Sequence, residues 1–294
     1  MEHAAKRVVM DEKTAGNKSE LVQQIVDYPT LIVFTLVCLF ALIGVPLFGY
    51  FYGYTQFEWI LFTVFYMVTG LGITVGYHRL FSHRSFTCKT WVKIYFLITG
   101  GWAMENSALK WCSDHIRHHA KTDTDEDPYN AKRGFWYSHV LWIFRKDPAA
   151  NLPAREKYKT ALRKDKWIMW QYRNYVPIVL TGLALPAVIG FFHRGLVGAA
   201  AGFMLAGVFR LFLVLNSTFF INSICHIWGS QPYGDANTSR DNWWISLITF
   251  GEGYHNYHHN FPRDYRNGPK WYNFDPSKWL IFSLFLIGAG KKAS

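Results

Sequence analysis

The stretch YPTLIVFTLVCLFALIGVPLFGYFYGYTQF, residues 28–57, decides what kind of fold this chain adopts, because it contains no Asp, Glu, Lys or Arg. Residues 59–77 and 174–192 also lack all four charged residue types, and a further apolar stretch is interrupted only by Arg210. Each stretch has the roughly 18 to 20 residues that a helix needs to cross a bilayer. We therefore predict four transmembrane helices, at about 30–52, 57–78, 174–192 and 196–221.

The charged residues outside these stretches predict the orientation. The chain has 294 residues and a net charge of +11, yet 29 of its 31 Lys and Arg residues fall in residues 1–29, 79–173 and 222–294, which the predicted spans place on one side. The positive-inside rule assigns this side to the cytoplasm. Because topology accounts for the charge, no nucleic-acid partner is expected. We predict an all-α membrane protein with a cytoplasmic tail (1–29), a single membrane domain (30–294) and a helical cytoplasmic cap.

Eight of the 12 histidines lie in three short motifs, H-R-L-F-S-H at 78–83, H-I-R-H-H at 115–119 and H-N-Y-H-H at 255–259. In H-x-x-H-H the histidines are three and four residues apart, so on a helix they share one face and can converge on adjacent metal ions. His78 and His83 are five residues apart, roughly 140° on a straight α-helix, so they can face one site only if the chain leaves α-helical geometry between them.

The number of histidines predicts a site for two metal ions. Imidazole suits Zn, Cu, Fe and Ni, but a structural zinc site takes four ligands that usually include Cys. The H-E-x-x-H signature of zinc proteases is absent. A metal transporter would place ionisable groups at mid-membrane, whereas these histidines lie at the cytoplasmic edge of the predicted spans. A redox-active metal such as iron is the natural choice for a lipid-facing oxidation.

Several longer motifs give the chain a family resemblance. They include D-H-I-R-H-H-A-K-T-D-T-D-E-D-P-Y-N (114–130), F-I-N-S-I-C-H-I-W-G (220–229) and G-E-G-Y-H-N-Y-H-H-N-F-P-R-D-Y-R-N-G (251–268). In these motifs the chain resembles the integral-membrane fatty acyl desaturases, within them the Δ9, stearoyl-CoA desaturase-like group. The resemblance implies two iron ions held by nine histidines, with an asparagine reaching the metal through a water: His78, His83, His115, His118, His119, Asn222, His226, His255, His258 and His259.

The same resemblance implies a reaction and its partners. A saturated C16 to C18 chain loses two hydrogens while O2 is reduced to water, with electrons from a separate carrier, cytochrome b5 or ferredoxin with its reductase. Because unactivated C–H bonds resist acid and base groups, such a site is built of metal ligands. The expected location is the bacterial inner membrane or the endoplasmic reticulum, with both termini and the active site cytoplasmic. A histidine-rich membrane hydroxylase, whose motif spacings differ, is the chemical alternative.

The second predicted span carries a stripe of residues four apart, Tyr66, Gly70, Thr74 and His78. Gly70 is eight residues from His78, roughly 12 Å along an α-helix, which is close to the reach of the nine methylenes beyond a reacting ninth carbon. In the resembled group this stripe closes the acyl tunnel. We therefore predict that Tyr66 forms its end wall. The alternative is that Gly70 only allows close helix packing.

The resemblance also suggests residues along the rest of the tunnel. Trp111 and Thr218 match a pair that shapes the tunnel bend, and a direct contact between them is chemically sensible because a buried Trp N–H needs an acceptor. Glu105 stands where animal members tend to have Gln.

At the head-group end, Arg145, Lys146, Asn106 and Asp114 match positions that contact coenzyme A. Ser113 replaces an Arg there, so an acyl chain carried on a phospholipid remains an alternative substrate to acyl-CoA. A basic patch at the membrane surface is the alternative role of Arg145 and Lys146, since anionic lipid attracts such residues.

Overall fold

The computed structural model describes residues 26–146 and 153–293, so almost all of the predicted N-terminal tail lies outside the described residues. Described here are thirteen α-helices: α1 Tyr28–Leu39, α2 Val45–Tyr52, α3 Gln56–Leu71, α4 Thr90–Gly101, α5 Ala108–Lys121, α6 Phe135–His139, α7 Pro153–Arg163, α8 Lys166–Arg173, α9 Tyr175–Gly202, α10 Arg210–Ile227, α11 Trp243–Ile248, α12 His255–Asn260 and α13 Pro276–Leu286. Three π-helical segments, π1 Phe40–Gly44, π2 Gly72–Ser82 and π3 Phe203–Phe209, join consecutive α-helices or extend them.

Three continuous helices are long and apolar enough to cross a membrane: Tyr28–Tyr52, Gln56–Ser82 and Tyr175–Ile227. The first two extend the predicted spans by a few residues. The third runs through both of the segments predicted as separate third and fourth spans. The described fold is therefore helical with three long apolar helices, and shorter helices lie between the second and third of them and after the third.

The long helix Tyr175–Ile227 turns back on itself near its middle. Arg194 (φ −145°, ψ 32°) and Gly195 (φ 57°, ψ −145°) leave helical geometry, and the positive φ of Gly195 is one that glycine adopts without steric cost. On either side of this break the backbones of Gly190 and Gly198 touch so closely that a side chain at either would overlap the other's carbonyl. The two halves therefore pack as an antiparallel helical hairpin.

Arg210, the one Lys or Arg inside the predicted spans, faces the interior of the helical bundle and is fully buried. Its guanidinium donates hydrogen bonds to the carbonyl oxygens of Trp102 at 2.5 Å and Gly182 at 3.0 Å. The Gly182 carbonyl is available because Pro186, four residues later, has no N–H to donate. Arg210 thus satisfies a backbone group that a proline leaves without its helical partner.

The helix α3 begins with a capping box and ends in a change of helix type. Thr55 accepts from the Glu58 N–H, and the Glu58 carboxylate accepts from the Thr55 N–H at 2.8 Å. After Leu71 the chain continues as π2, and the His83 N–H donates to the His78 carbonyl at 3.1 Å. This bond between residues five apart is the repeat of a π-helix, which brings those residues to the same face.

The all-α prediction is wrong at one place in the cap. Residues Phe86–Cys88 form strand β1, which pairs antiparallel with strand β2, Gly290–Lys292, placing Thr87 opposite Lys291. Strands of three residues are too short to carry a periodic pattern, so they could not be predicted from the sequence. Because β1 follows His83 closely, the pairing fixes the C-terminal end of the described chain beside the exit of π2.

Candidate metal centre and adjoining cavity

All nine predicted histidine ligands come together in two groups, each with its ligand atoms within 4.8 Å of one another. Cluster A consists of His78, His83, His115, His119 and His258. Cluster B consists of His118, His226, His255 and His259. The sequence predicted two adjacent sites, and the arrangement of the clusters supports that interpretation.

Each H-x-x-H-H motif contributes to both clusters. On α5, His115 and His119 are one turn apart and enter cluster A, whereas His118 enters cluster B. On α12 the division is reversed, because His258 alone enters cluster A and contacts His119, Nε2 to Nε2, at 2.9 Å. The short helices α5 and α12 are therefore linked through both clusters, a division that residue spacing alone did not specify.

The π-helix explains how His78 and His83 reach the same cluster. Their ring centroids are 4.8 Å apart, although the two residues would diverge on an α-helix. His83 then meets His115 of α5, with the two Nε2 atoms 2.7 Å apart. The departure from α-helical geometry that the spacing requires is thus a π-helix, a feature often found at functional sites.

The ninth histidine, His226, comes from α10, where Asn222 lies one turn before it. His226 Nε2 is 3.1 Å from His255 Nε2. Asn222 is 9% exposed and lines the same cavity as His255. The structure thus places the predicted asparagine beside cluster B, on the helix face that carries His226.

Polar groups behind three histidines set the direction of the imidazole rings. The outward Nδ1 atom lies 2.8 Å from Glu252 in His78, 2.9 Å from Asp127 in His118 and 2.9 Å from Thr238 in His226. An acceptor at Nδ1 places the ring hydrogen there, so Nε2 presents its lone pair inward. Thr238 is itself bound to an Asp123 carboxylate oxygen at 2.6 Å.

The inward donor set fits metal ions. His78, His118 and His226 each point Nε2 at another histidine's Nε2, at 2.9, 3.2 and 3.1 Å. Lone pairs that face each other at such distances repel unless a cation lies between them. Neutral imidazoles in this arrangement suit iron, zinc, copper or nickel.

Burial favours the neutral imidazole in six of the nine histidines. For the six histidines outside the long apolar helices, burial first and neighbouring histidines second lower the pKa well below its usual value: His83, His115, His119, His255, His258 and His259. A neutral imidazole is the form that binds a metal ion. These rings can therefore bind a metal ion without first losing a proton.

A buried ion network supports cluster A and was missed in the sequence. The Arg79 guanidinium lies 3.1 Å from Glu252 and 3.0 Å from Asp275, and all three side chains are almost fully buried. Burial raises the pKa of Glu252, but His78 and Arg79 lower it by more, so the net direction is below the usual value. The position of Arg79 directly after His78 was the only signal in the sequence.

A largely apolar cavity runs alongside the clusters, and eight of the ten predicted substrate residues line it. They are Tyr66, Gly70, Thr74, Glu105, Asn106, Trp111, Asp114 and Thr218. His78, His115, His118 and His255 line the same cavity, which places both clusters at its wall. The remaining two predicted residues, Arg145 and Lys146, are exposed and are not part of this lining.

Three lining residues that sequence reasoning missed gather near the start of α1: Thr30, Trp142 and Ile143. The Asp27 N–H donates to the Phe144 carbonyl at 2.8 Å, and Phe34 packs edge-on against the Phe144 ring. This contact brings the first apolar helix to the 3₁₀ turn Leu141–Phe144. It was not predictable because the two segments are more than one hundred residues apart in sequence.

Glu105 corrects the predicted contact between Trp111 and Thr218. The Trp111 indole N–H donates to one oxygen of the Glu105 carboxyl at 2.9 Å, and the Thr218 hydroxyl lies 2.8 Å from the other oxygen. The two residues are therefore joined through Glu105 rather than to each other. A carboxyl has two oxygens and can reach both partners, which the sequence comparison of position 105 did not reveal.

The far end of the cavity, defined here by Tyr66, Gly70, Thr74, Ile248 and Phe250, is closed by more than the predicted Tyr66. A side chain at Gly70 would overlap the Phe250 ring, so Phe250 occupies the space beside the glycine. The Tyr66 hydroxyl donates to the Ile248 carbonyl at 2.8 Å. Phe250, which no motif singled out, thus shares the end wall with Tyr66.

Comparison with known proteins agrees with this arrangement. A family model described as fatty acid desaturase matches residues 57–282. The chain is 42% identical over 253 residues to acyl-CoA desaturase 1 of Saccharomyces cerevisiae, covering 83% of this chain and 49% of that protein. It is 36% identical over 260 residues to stearoyl-CoA desaturase of Capra hircus, covering 88% of this chain and 71% of that protein.

A third relative is named for a different substrate. The sn-2 palmitoyl-lipid 9-desaturase of Nostoc sp. (strain 36) is 34% identical over 262 residues, covering 85% of this chain and 89% of that protein. The chain spans about half the length of the two yeast relatives it matches, the second being a probable acyl-CoA desaturase of Schizosaccharomyces pombe. Proteins similar to this chain therefore include desaturases of both acyl-CoA and acyl lipid.

Proposed function

This chain belongs to the fatty acid desaturase family, and from that premise we propose that it inserts a cis double bond at the ninth carbon of a palmitoyl or stearoyl chain. The observation that carries the proposal is the apolar cavity whose wall includes histidines of both clusters. A methylene chain in this cavity would lie against the metal ligands over part of its length. No acid, base or nucleophile in the cavity is needed to account for the reaction.

We propose that clusters A and B each hold one iron ion, with Asn222 near cluster B. When bound, the two iron ions would activate O2, which is the oxidant that removal of hydrogen from an unactivated C–H bond requires. The residues of the chain hold the substrate and keep water away from it. Glu252, Asp127 and Thr238 keep the ligand rings in the orientation that binding needs.

The carrier of the acyl chain is proposed to be coenzyme A, with phospholipid as the second candidate. The names of the yeast and goat relatives favour acyl-CoA. The exposed position of Arg145 and Lys146, outside the cavity lining, is compatible with either a coenzyme A phosphate or a lipid head group. Arg145 also lies over the ring of Tyr137 at 5.5 Å, which orients its guanidinium at the surface.

The proposed topology has four membrane crossings and a cytoplasmic cap. The break at Arg194 and Gly195 supports two crossings within the long helix Tyr175–Ile227, because its two halves pack antiparallel. The distribution of Lys and Arg supports placement of the cap and both termini in the cytoplasm. A multi-pass protein of the endoplasmic reticulum or of a bacterial inner membrane fits this arrangement.

We propose that the electron donor, cytochrome b5 or ferredoxin, docks where ligands reach the surface. His83, His119 and His259 are the ligands that are only partly buried. The His119 ring lies 4.6 Å from that of His83 and 4.2 Å from that of His259. The exposed Arg84 and Arg263 follow two of them in the chain and would attract an acidic carrier.

Product analysis in a desaturase-deficient host tests the proposed reaction. Expression of the chain should restore unsaturated chains with a double bond at the ninth carbon, detected by mass spectrometry of the lipids. His258→Ala should abolish the product, whereas His193→Ala, an exposed histidine outside both clusters, should leave it unchanged. A hydroxylated product, or none from a well-expressed protein, contradicts the proposal. Supplying acyl-CoA and phospholipid separately to purified enzyme distinguishes the two carriers.

A further inference from the structure

The Glu105 carboxyl group connects α5 to α10 at the cavity wall, and its contacts indicate a role in substrate binding beyond lining the cavity. We propose that Glu105 is a latch that holds the acyl chain only as a neutral acid, so that binding of the chain depends on one proton at this residue. The proposal rests on the proposed function, because it takes the ligand of the cavity to be a saturated acyl chain. It adds a residue whose protonation controls access to the site.

The backbone that carries Glu105 is strained and firmly held. Its two neighbours, Met104 (φ 58°) and Asn106 (φ 82°), are both non-glycine residues in the left-handed region. Such conformations persist only where the surroundings impose them, and they concentrate at functional sites. The Asn106 N–H donates to the Tyr175 hydroxyl at 3.0 Å, and the Ala108 N–H donates to the Gln171 side chain at 3.0 Å. The loop thus fixes Glu105 in the cavity wall.

The two carboxyl oxygens of Glu105 connect α5 to α10. Trp111 of α5 donates to one oxygen, and Thr218 of α10 meets the other. Trp111 also stacks on the His115 ring of cluster A, with centroids 5.1 Å apart and an interplanar angle of 17°. Glu105 therefore fixes the wall of the cavity where it adjoins the metal ligands.

In the part of the chain that the structure describes, no lysine or arginine side chain contacts Glu105 to balance an ionised carboxylate. Among the described residues its hydrogen-bond partners are Trp111 and Thr218, and neither carboxyl oxygen is within an ion pair. Titratable or polar groups face this part of the cavity from every neighbouring element: Asp114 and His115 of α5, Tyr77 and His78 of π2, Tyr175 of α9, and Asn222 of α10. None of them is a lysine or an arginine.

Burial raises the pKa of Glu105 to about 7, against the lowering effect of its hydrogen bonds to Thr218 and Trp111. A saturated chain that fills the cavity removes the remaining water, which disfavours the charged form further. The neutral acid still accepts from Trp111, and its own O–H can donate to the Thr218 hydroxyl. Both latch contacts are therefore compatible with protonation, while a carboxylate beside methylene groups is not.

The sign of the effect follows from this linkage. Below about pH 7 Glu105 is already protonated, so the chain binds without any uptake of a proton. Above that value the free protein must take up a proton to bind, so affinity falls by up to tenfold for each pH unit. Gln at position 105 keeps an acceptor for Trp111 and a donor for Thr218 but cannot ionise. The pH dependence should disappear in that variant.

Equilibrium binding of radiolabelled stearoyl-CoA to the purified, metal-containing protein tests the latch without turnover, because no electron donor is supplied. Between pH 6.5 and pH 8.5 the affinity of the wild type should fall about tenfold or more, whereas that of Glu105→Gln should change less than about twofold. Asp114→Asn, which neutralises another carboxylate of the cavity lining, should keep the wild-type pH dependence. Equal pH dependence in wild type and Glu105→Gln overturns the proposal.

A second variant keeps the test valid if Glu105→Gln does not fold. Thr218→Val removes a hydrogen bond that lowers the pKa of Glu105, so the loss of affinity should begin at a higher pH than in the wild type. An unchanged midpoint counts against the latch.

The same measurements use stearoyl phospholipid as an alternative probe. Affinity for either probe without pH dependence overturns the latch alone, whereas no affinity for either also contradicts the proposed function.

Discussion

The metal clusters and the far end of the cavity are held by different kinds of contact. In the clusters, polar partners such as Glu252, Asp127 and Thr238 lie behind the histidine rings and fix their direction. At the far end, Phe250 fills the space left by the missing side chain of Gly70, and shape decides what fits. We infer that changes at the metal end cost stability and metal affinity, whereas changes at the far end alter chain-length selection.

The largest effect is expected at Glu252. Glu252→Gln removes one of the two carboxylates that pair with buried Arg79, so we expect a loss of roughly 3 kcal/mol in unfolding free energy, since Asp275 alone is then left to balance a fully buried guanidinium. The thermal unfolding midpoint and the metal content of purified protein should both fall. Glu156→Gln, at the half-exposed ion pair of Glu156 with Arg163, serves as control and should change neither. A Glu252→Gln protein with unchanged midpoint contradicts the structural role of this network.

A smaller and more local effect is expected at Asp127. Asp127→Asn weakens the acceptor behind His118, so cluster B should bind its metal about 10 to 100-fold less tightly. Metal content after dialysis against a graded series of chelator concentrations measures this change. One metal ion should leave early while the second stays in cluster A. Simultaneous loss of both ions would show that the clusters do not bind metal separately.

At the far end, Gly70→Ala should change selectivity rather than stability of the metal site. The new methyl group overlaps the Phe250 ring, which must move into the cavity at a cost of about 1 kcal/mol or more. The ratio of products from stearoyl and palmitoyl chains should fall about fivefold or more, and metal content should stay constant. Gly207→Ala is the matched control, because a methyl group there meets no atom closer than 3.5 Å. An unchanged product ratio would assign Gly70 to helix packing alone.

The smallest effect is expected for Tyr66→Phe. The substitution removes the hydroxyl that bonds to the Ile248 carbonyl and to Ser217 but keeps the ring that faces the cavity. Stability should fall by about 1 kcal/mol, the usual value of one net hydrogen bond. The chain-length profile should not change, because the wall keeps its shape. A marked shift in the product ratio would mean that the hydroxyl, and not the ring, limits the chain.

The same contrast explains what the sequence could predict. Eight of the nine histidines were found from spacing in three short motifs, and the six in the two H-x-x-H-H motifs are neighbours in space because they lie three and four residues apart on a helix. His226 was assigned only through the family resemblance. The five-residue gap between His78 and His83 predicted a departure from α-helical geometry, though not that it would be a π-helix. The apolar stretches predicted the long helices for an equally local reason, since length and lack of charge suffice.

Contacts distant in sequence were beyond this kind of reasoning. Phe250 reaches Gly70 because Ser277 binds the Phe250 carbonyl at 3.0 Å and Thr74 at 2.6 Å, and no local pattern links these three segments. Position 105 was recognised as a departure from the related proteins, but its link to Trp111 and Thr218 emerged only from the fold. Glu252 lay inside a recognised motif, yet its partner Arg79 is 173 residues away.

The position of the double bond in chains of different length tests the central claim most directly. If the metal clusters fix the reacting carbon and the far end only limits length, palmitoyl and stearoyl substrates should both carry the new bond at the ninth carbon from the carboxyl group. Mass spectrometry of derivatised products from the purified enzyme reads this position. A bond that moves by two carbons when the chain grows by two would mean that the far end sets the register, and would contradict the account.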